Sequence, residues 1–164
     1  MFIVPIRKEH KRKAFDCGKP KVNAFLHEKG LAEAYGATWV MVPHENSDDI
    51  VGFCTLRPDV EAEDEWDETA TKEVYITVEW FGIDIKYKNQ RLGRRLFQWI
   101  ITQALRKAGK YPVAGLILIP LDNDALGWYM SLKYGFVELD GIYLYLSTEA
   151  MRLLPPLDSI NPKK

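Results

Sequence analysis

Strand-like and helix-like periods alternate along this chain of 164 residues. That alternation predicts an α/β (α+β) fold, with helices packed on a mixed central sheet of about six or seven strands. Three stretches carry the prediction. From Gln90 the apolar period is helical, with Leu92, Leu96, Ile100, Ala104 and Ala108 one turn apart and Phe97, Ile101 and Leu105 widening the stripe. VAGLILI (113–119) is the unbroken apolar run of a strand buried on both faces. ATWVMVP (37–43) and IVGFCTLRP (50–58) flank HENSDD, a turn-prone polar insert that makes the pair a hairpin.

The remaining elements follow in chain order. FIVPI (2–6) reads as a short strand, and AFDCGKPKVNAFLHEKGLAEAYG contains helical stretches broken by Gly18 and Pro20. After the hairpin, DVEAEDEWDETATKE (59–73) holds eight acidic residues without apolar periodicity. It reads as a solvated loop, with a lid or an acidic rim for a cationic substrate as the alternative. VYITV and EWFGIDI are expected to be two strands, and Gly109 to close the helix that starts at Gln90. LDNDALGWYMSLKYGF reads as an Asp/Asn-capped helix with Ala125, Trp128, Tyr129 and Leu132 on one face and Gly135 as its stop. VELDGIYLYLS reads as the terminal strand, alternating after a turn at Gly141. No internal repeat or linker interrupts this order, so a single domain over 1–164 is expected.

Composition narrows the function. With 47% apolar and 27% charged residues the chain can bury a full core, which excludes a disordered segment. A net charge of -1 removes the long-range pull of a strongly basic nucleic-acid binder, so a polyanion must be held by a local patch. Cys17 and Cys54 have neither CxxC nor Cys/His spacing, so no disulfide framework and no metal site is expected. MFIVPIRKEHKRKAF places its apolar residues before its charges, the reverse of a secretory signal, and no apolar run reaches the roughly 18 residues of a membrane span. A cytoplasmic protein with no membrane contact is the expectation. His10, His27 and His44 are expected to face solvent.

The stretch with most chemistry is WFGIDIKYKNQRLGRRLFQWI (80–100). Lys86, Lys88, Arg91, Arg94 and Arg95 gather where a strand turns into a helix, and there the unpaired N–H groups and the helix dipole are already positive. An anion such as a pyrophosphate suits this place. Neither GxxxxGK[ST] nor GxGxxG is present. The stretch resembles the acyl-coenzyme A signature of the GNAT superfamily of N-acyltransferases, a strand followed by Gln/Arg-x-x-Gly-x-Gly/Ala at the start of a long helix. Lys88, Asn89, Gln90, Arg91, Leu92 and Gly93 fall on its six positions, with Lys88 in place of Gln or Arg and Arg91 in place of the first Gly. On this reading Arg91 takes a helical conformation, still donates its N–H, and reaches for the phosphates.

DNDALGWYMSLKYGF resembles the family's second motif, Asn-x-x-Ala-x-x-Φ-Tyr with a Gly-Phe after it, through Ala125, Trp128, Tyr129, Gly135 and Phe136, with Asp122 in the Asn position and Asn123 one residue on. The resemblance spans about residues 35–146. It implies a mixed, strongly twisted sheet with helices on both faces, two central strands splaying apart, and acetyl-CoA as co-substrate with its pantetheine arm in the gap. Phe81, Gly82 and Ile83 are then the backbone partners of pantetheine, Arg94 and Asn123 further cofactor contacts, Tyr129 the acid for the leaving thiolate and Glu79 the acceptor of the amine proton. A core aromatic at 129 and an exposed strand carboxylate at 79 are the plain alternatives. Trp66, Trp80 and Trp128 either line an acceptor pocket or fill the core.

FDCGKPKVNAFLHEKGLAEAYGATWVMV, followed by GFCTL, is similar to the opening of the acetyltransferase toxins that acetylate aminoacyl-tRNA. That branch implies charged tRNA as acceptor, an antitoxin protein as partner, and leaves room for a homodimer. Three functions stand: an N-acetyltransferase acting on a primary amine of a small molecule, a protein N-terminus or aminoacyl-tRNA; a toxin of a toxin–antitoxin pair; and a GNAT-fold sensor or interaction domain whose cofactor site Arg91 and Asp122 have impaired.

Overall fold

A computed structural model describes residues 1–60 and 74–155. Of the acidic stretch 59–73 expected to be a loop, Asp59 and Val60 instead end a strand, and 61–73, with Trp66, lie outside the described residues. Seven strands form one mixed sheet in the order β1-β2-β3-β4-β5-β7-β6. They are β1 (Phe2–Pro5), β2 (Ala37–Val42), β3 (Gly52–Val60), β4 (Val74–Ile83), β5 (Val113–Leu118), β6 (Val137–Leu139) and β7 (Tyr143–Ser147). Among the described residues four α-helices accompany them: α1 (Pro20–Lys29), α2 (Leu92–Ala108), α3 (Asn123–Ser131) and α4 (Thr148–Arg152). None of the described helices is long and apolar enough to cross a membrane.

The expected hairpin is present, with β2 antiparallel to β3 from Ala37 opposite Leu56 to Met41 opposite Gly52. Pro20 opens α1 instead of breaking it, since the first helical position needs no N–H donor. VYITV and EWFGIDI are not two strands but the single β4, because Glu79 does not interrupt the ladder; Arg57 of β3 neutralises it. The terminal strand divides into β6 and β7 around a tight turn. Asp140 and Gly141 have φ of 53° and 67°, and Ile142 N–H bonds to Leu139 O at 3.1 Å, the left-handed geometry that hairpins favour.

The chain groups into two compact units, Met1–Arg57 with Val78–Phe97 and Pro58–Thr77 with Gln98–Lys164. In the first, Phe15, Cys17, Val22, Phe25, Leu26, Val40, Val42, Ile50 and Phe53 make one buried cluster, with Trp80 packed against it. Trp80 stacks on Phe25 at 4.7 Å between ring centroids, which is the core role of the two weighed for it. In the second, β4 pairs in parallel with β5 from Val74 opposite Val113 to Thr77 opposite Ile117, and the ladder ends there. β7 runs antiparallel to β5, where Thr148 Oγ1 donates to Val113 O at 2.6 Å and Tyr145 OH to Ala114 O at 2.9 Å. The α2 stripe follows the period through its first three turns, where Leu92, Leu96, Ile100, Ala104, Phe97 and Ile101 are buried, while Leu105 and Ala108 are half-buried.

Candidate active site

The loop from β4 to α2 is built around one acid. Asp84, 3% exposed, caps a single 3-10 turn (Ile85–Tyr87), accepting the Lys86 N–H on Oδ1 at 2.9 Å. Its Oδ2 accepts the Asp16 N–H at 3.1 Å, and Ile85 N–H donates to Asp16 O at 2.8 Å. Asp16 in turn accepts from Gly18 N–H at 2.8 Å and from Asn23 Nδ2 at 2.7 Å, and these bonds, Gly18's first, hold its carboxyl below the usual carboxylate range. Asn23 Oδ1 accepts the Cys17 N–H at 2.9 Å. The Phe15–Gly18 segment is thereby tied to the end of β4.

Beyond the turn the backbone reverses. Asn89 and Arg91 have φ of 65° and 57°, and α2 begins at Leu92, with Arg95 N–H on Arg91 O at 3.2 Å. The helical Arg91 expected from the sequence is therefore corrected: it is left-handed, the conformation that explains why Gly is usual there, at a cost of about 1 kcal/mol to a residue with Cβ. Asn tolerates the same conformation better. Lys86, Lys88, Asn89, Gln90, Arg91 and Arg95 are exposed, Gly93 and Arg94 half-buried, and Leu92 buried. The first turn of α2 holds no acidic residue, and both oxygens of Asp84 are committed to backbone N–H groups. The first unit thus sets exposed cations around the N-terminal end of a helix, where the helix dipole favours an anion.

Upstream on β4, Glu79 Oε1 lies 2.7 Å from Arg57 Nε and 2.5 Å from its Nη2, so the proton acceptor expected from the sequence is an ion-paired carboxylate. Phe81 meets Phe97 edge-on at 5.8 Å. Gly82 is buried where a Cβ would stand 3.2 Å from Val22 Cγ1 and 3.4 Å from Cys17 Cβ, so a glycine lets the Phe15–Gly18 segment lie against the strand. Ile83 is half-buried. Phe81, Gly82 and Ile83 all follow the point where the β4–β5 ladder ends.

In the second unit, Asp122 Oδ1 accepts the Ala125 N–H at 2.9 Å as the N-cap of α3, and Asn123 is the exposed first helical residue. Tyr129 is 7% exposed, held between Trp128 at 5.1 Å and Phe136 at 5.9 Å, both edge-on. The helix stops at Ser131, before the expected Gly135; Lys133 (φ 56°) and Gly135 (φ 96°) make the turn that follows.

Two of the three histidines differ from expectation. His10 is 3% exposed, with Nδ1 accepting the Arg7 N–H at 2.8 Å, and half-buried His27 places Nε2 2.8 Å from Phe15 O; His44 alone is exposed. Each ring has one polar bond to its own neighbourhood, while His10 Nε2 is buried without a partner among the described residues. Cys17 and Cys54 are free and buried, and burial pushes both thiols up. Among the described residues no group of three His, Cys, Asp or Glu side chains is placed to hold a metal ion. Asp84, Asp16, Asn23 and Arg57 were not picked out by sequence reasoning, although Asp84 is the one acid in residues 80–100 and stands directly after the strand.

A strand, a left-handed loop and a cation-rich helix start, followed by a capped helix carrying a buried Tyr, define an acyltransferase fold. The acetyltransferase (GNAT) family model matches residues 5–143, and the chain belongs to that family. No curated protein matches the sequence. Its fold is similar to that of AtaTR bound with AcCoA (TM-score 0.81, 18% identity, 93% of this chain and 96% of that one). It is also similar to AtaT complexed with acetyl-methionyl-tRNAfMet (TM-score 0.77, 18% identity, 93% and 97%) and to the KacTA–DNA complex (TM-score 0.76, 21% identity, 92% and 95%).

Proposed function

We propose that the protein transfers the acetyl group of acetyl-CoA to a primary amine, in a ternary complex. The observation that carries this is the β4–α2 loop, where Lys86, Lys88, Arg91 and Arg94 stand around the N-terminal end of a long helix whose first turn holds no acidic residue. Lys88, Asn89, Gln90, Arg91, Leu92 and Gly93 hold the pyrophosphate, mostly by main chain, and Asn123 adds a polar contact. Phe81, Gly82 and Ile83 offer pantetheine the main-chain groups that β5 does not pair. The amine nitrogen attacks the thioester carbonyl carbon, the C–S bond breaks, and the departing sulfur takes the phenolic proton of Tyr129. The nitrogen releases its extra proton through water to Glu79, which Arg57 holds in position.

For the acceptor, the amino group of aminoacyl-tRNA is the reading favoured. The Phe15–Gly18 segment that resembles the toxin branch lies on β4 beside the loop, and the structurally similar AtaT is seen with acetyl-methionyl-tRNAfMet. An antitoxin is the protein partner on this reading, as for the AtaT mutant toxin bound to the C-terminus of AtaR and acetyl-CoA.

Acetyl-CoA at about 100 times its Kd stabilises the fold by roughly 2.7 kcal/mol, a rise of several degrees in Tm. No shift at millimolar acetyl-CoA would leave the impaired-sensor reading in its place. With labelled acetyl-CoA, charged tRNA gains label while uncharged tRNA does not; label on a polyamine or an N-terminal peptide instead would move the acceptor to that class.

A further inference from the structure

We infer that Asp84 is a positioning residue for the cofactor: its carboxylate clamps the β4–α2 loop to the Phe15–Gly18 segment and so sets where the phosphate-binding groups stand. The inference rests on the acetyl-CoA reading above. Asp84 is a buried carboxylate in a loop whose other charges are all cationic, yet neither oxygen faces a cation at salt-bridge distance among the described residues; each takes a backbone N–H. Those donors lie far apart in sequence. Lys86 belongs to Asp84's own turn, whereas Asp16 is 68 residues away.

The same junction gathers two further main-chain bonds, Asp84 N–H to Val51 O at 2.9 Å and Ile85 N–H to Asp16 O at 2.8 Å. A chain of side-chain bonds then runs on from Asp16 to Asn23 of α1. An ordinary cap needs one oxygen. The second oxygen joins two segments, and the loop so held is short: between the turn ending at Tyr87 and the start of α2 at Leu92 stand the left-handed Asn89 and Arg91. A strained backbone of that kind persists only where its surroundings over-determine it. Releasing Asp84 frees the turn, and with it Lys86, Lys88 and the N–H groups that meet the phosphates.

The test compares coenzyme A with pantetheine, which lacks the phosphates, by calorimetry on the whole protein. Asp84→Asn keeps one acceptor oxygen but sets an amide N–H₂ against a backbone donor, and weakens coenzyme A about tenfold or more while pantetheine changes less than about twofold. Asn23→Ala, which loosens the far side of the clamp, weakens coenzyme A by a smaller factor with the same selectivity. Wild-type affinity for coenzyme A in Asp84→Asn overturns the inference, as does equal loss for both ligands, which marks a role in stability alone. Should Asp84→Asn fail to fold, Asn23→Ala decides, and unchanged coenzyme A affinity there overturns the clamp. A wild-type protein that binds pantetheine but not coenzyme A removes the phosphate reading itself, a different outcome from failure of the clamp.

Discussion

At Arg91 the backbone and the side chain have opposite demands. A φ of 57° suits glycine, while a guanidinium at a helix start suits a phosphate. Arg91→Gly relieves about 1 kcal/mol of left-handed strain and gives part of that back through the freer unfolded chain. The expected result is a variant more stable by on the order of 0.5 kcal/mol in denaturant titration, with weaker binding of coenzyme A. Tighter binding would show that the side chain crowds the ligand. Tyr129 presents the opposite case, in which removal of one oxygen separates chemistry from packing. Its ring is wedged between Trp128 and Phe136, and Tyr129→Phe keeps that wedge. If the phenol protonates the thiolate, turnover falls about 10²–10⁴-fold while coenzyme A affinity and Tm hold nearly constant. Unchanged turnover assigns the proton to water or another group, and a joint fall in Tm and turnover points to a hydroxyl that stabilises the fold.

Elements whose neighbours are close in sequence were readable from it. The buried face of α2 follows from its period, and the β2–β3 hairpin from six polar residues between two β-rich runs. Where the partner is remote, local pattern misled. Glu79 looked like a break between two strands because Arg57, which neutralises it, lies 22 residues away. The turn at Asp140 and Gly141, a local signal, is legible as a turn, but the sequence places it within one terminal strand instead of between two. The site divides the same way. Its cationic helix start is legible in the residues and its Tyr comes from the resemblance to the family's motif, but Asp84 gains its meaning from Asp16, and the left-handed Arg91 from a backbone that no side-chain pattern reports. For α3, the Asp that replaces the family's Asn serves as its cap. Asp122→Ala should cost about 1 kcal/mol, a fall of about 2–4 °C in Tm, and Asp122→Asn almost nothing, since both acid and amide cap well. An equal fall for both would mean that the charge, rather than the acceptor oxygen, matters at this position.

Over the whole molecule the charges nearly cancel, and stability against pH depends on which groups differ between folded and unfolded chains. His10 is the informative one between neutral and mildly acid pH. It sits where the N-terminal segment is fastened to the loop before β3: Lys11 N–H donates to Asp48 O at 2.8 Å, Lys11 pairs with Asp49 at 2.9 Å, and Arg7 lies 3.7 Å from Asp48. Burial, and then the charge of Arg7, lower the His10 pKa from 6.5, against the opposing pull of Asp48 and Glu9. The geometry agrees, because Nδ1 must keep a lone pair for the Arg7 N–H, and Nε2 is buried without a partner among the described residues. The folded state therefore resists a proton that the unfolded chain accepts. Above pH 6.5 both states are neutral and stability is full; as pH falls below 6.5 and through the lower folded value, stability is lost. Other shifted groups act elsewhere: Asp16 and Asp49 start from 3.8 and move down, and Lys11 starts from 10.5 and moves up. Their contributions are constant from pH 5 to 7.5. His10→Asn places an amide oxygen near Nδ1 and cannot titrate, so the Tm advantage of the wild type over this variant should shrink steadily from pH 7.5 to pH 5. A Tm difference that stays flat across that range would show that His10 takes up its proton equally in both states, and that acid weakens the fold through some other group.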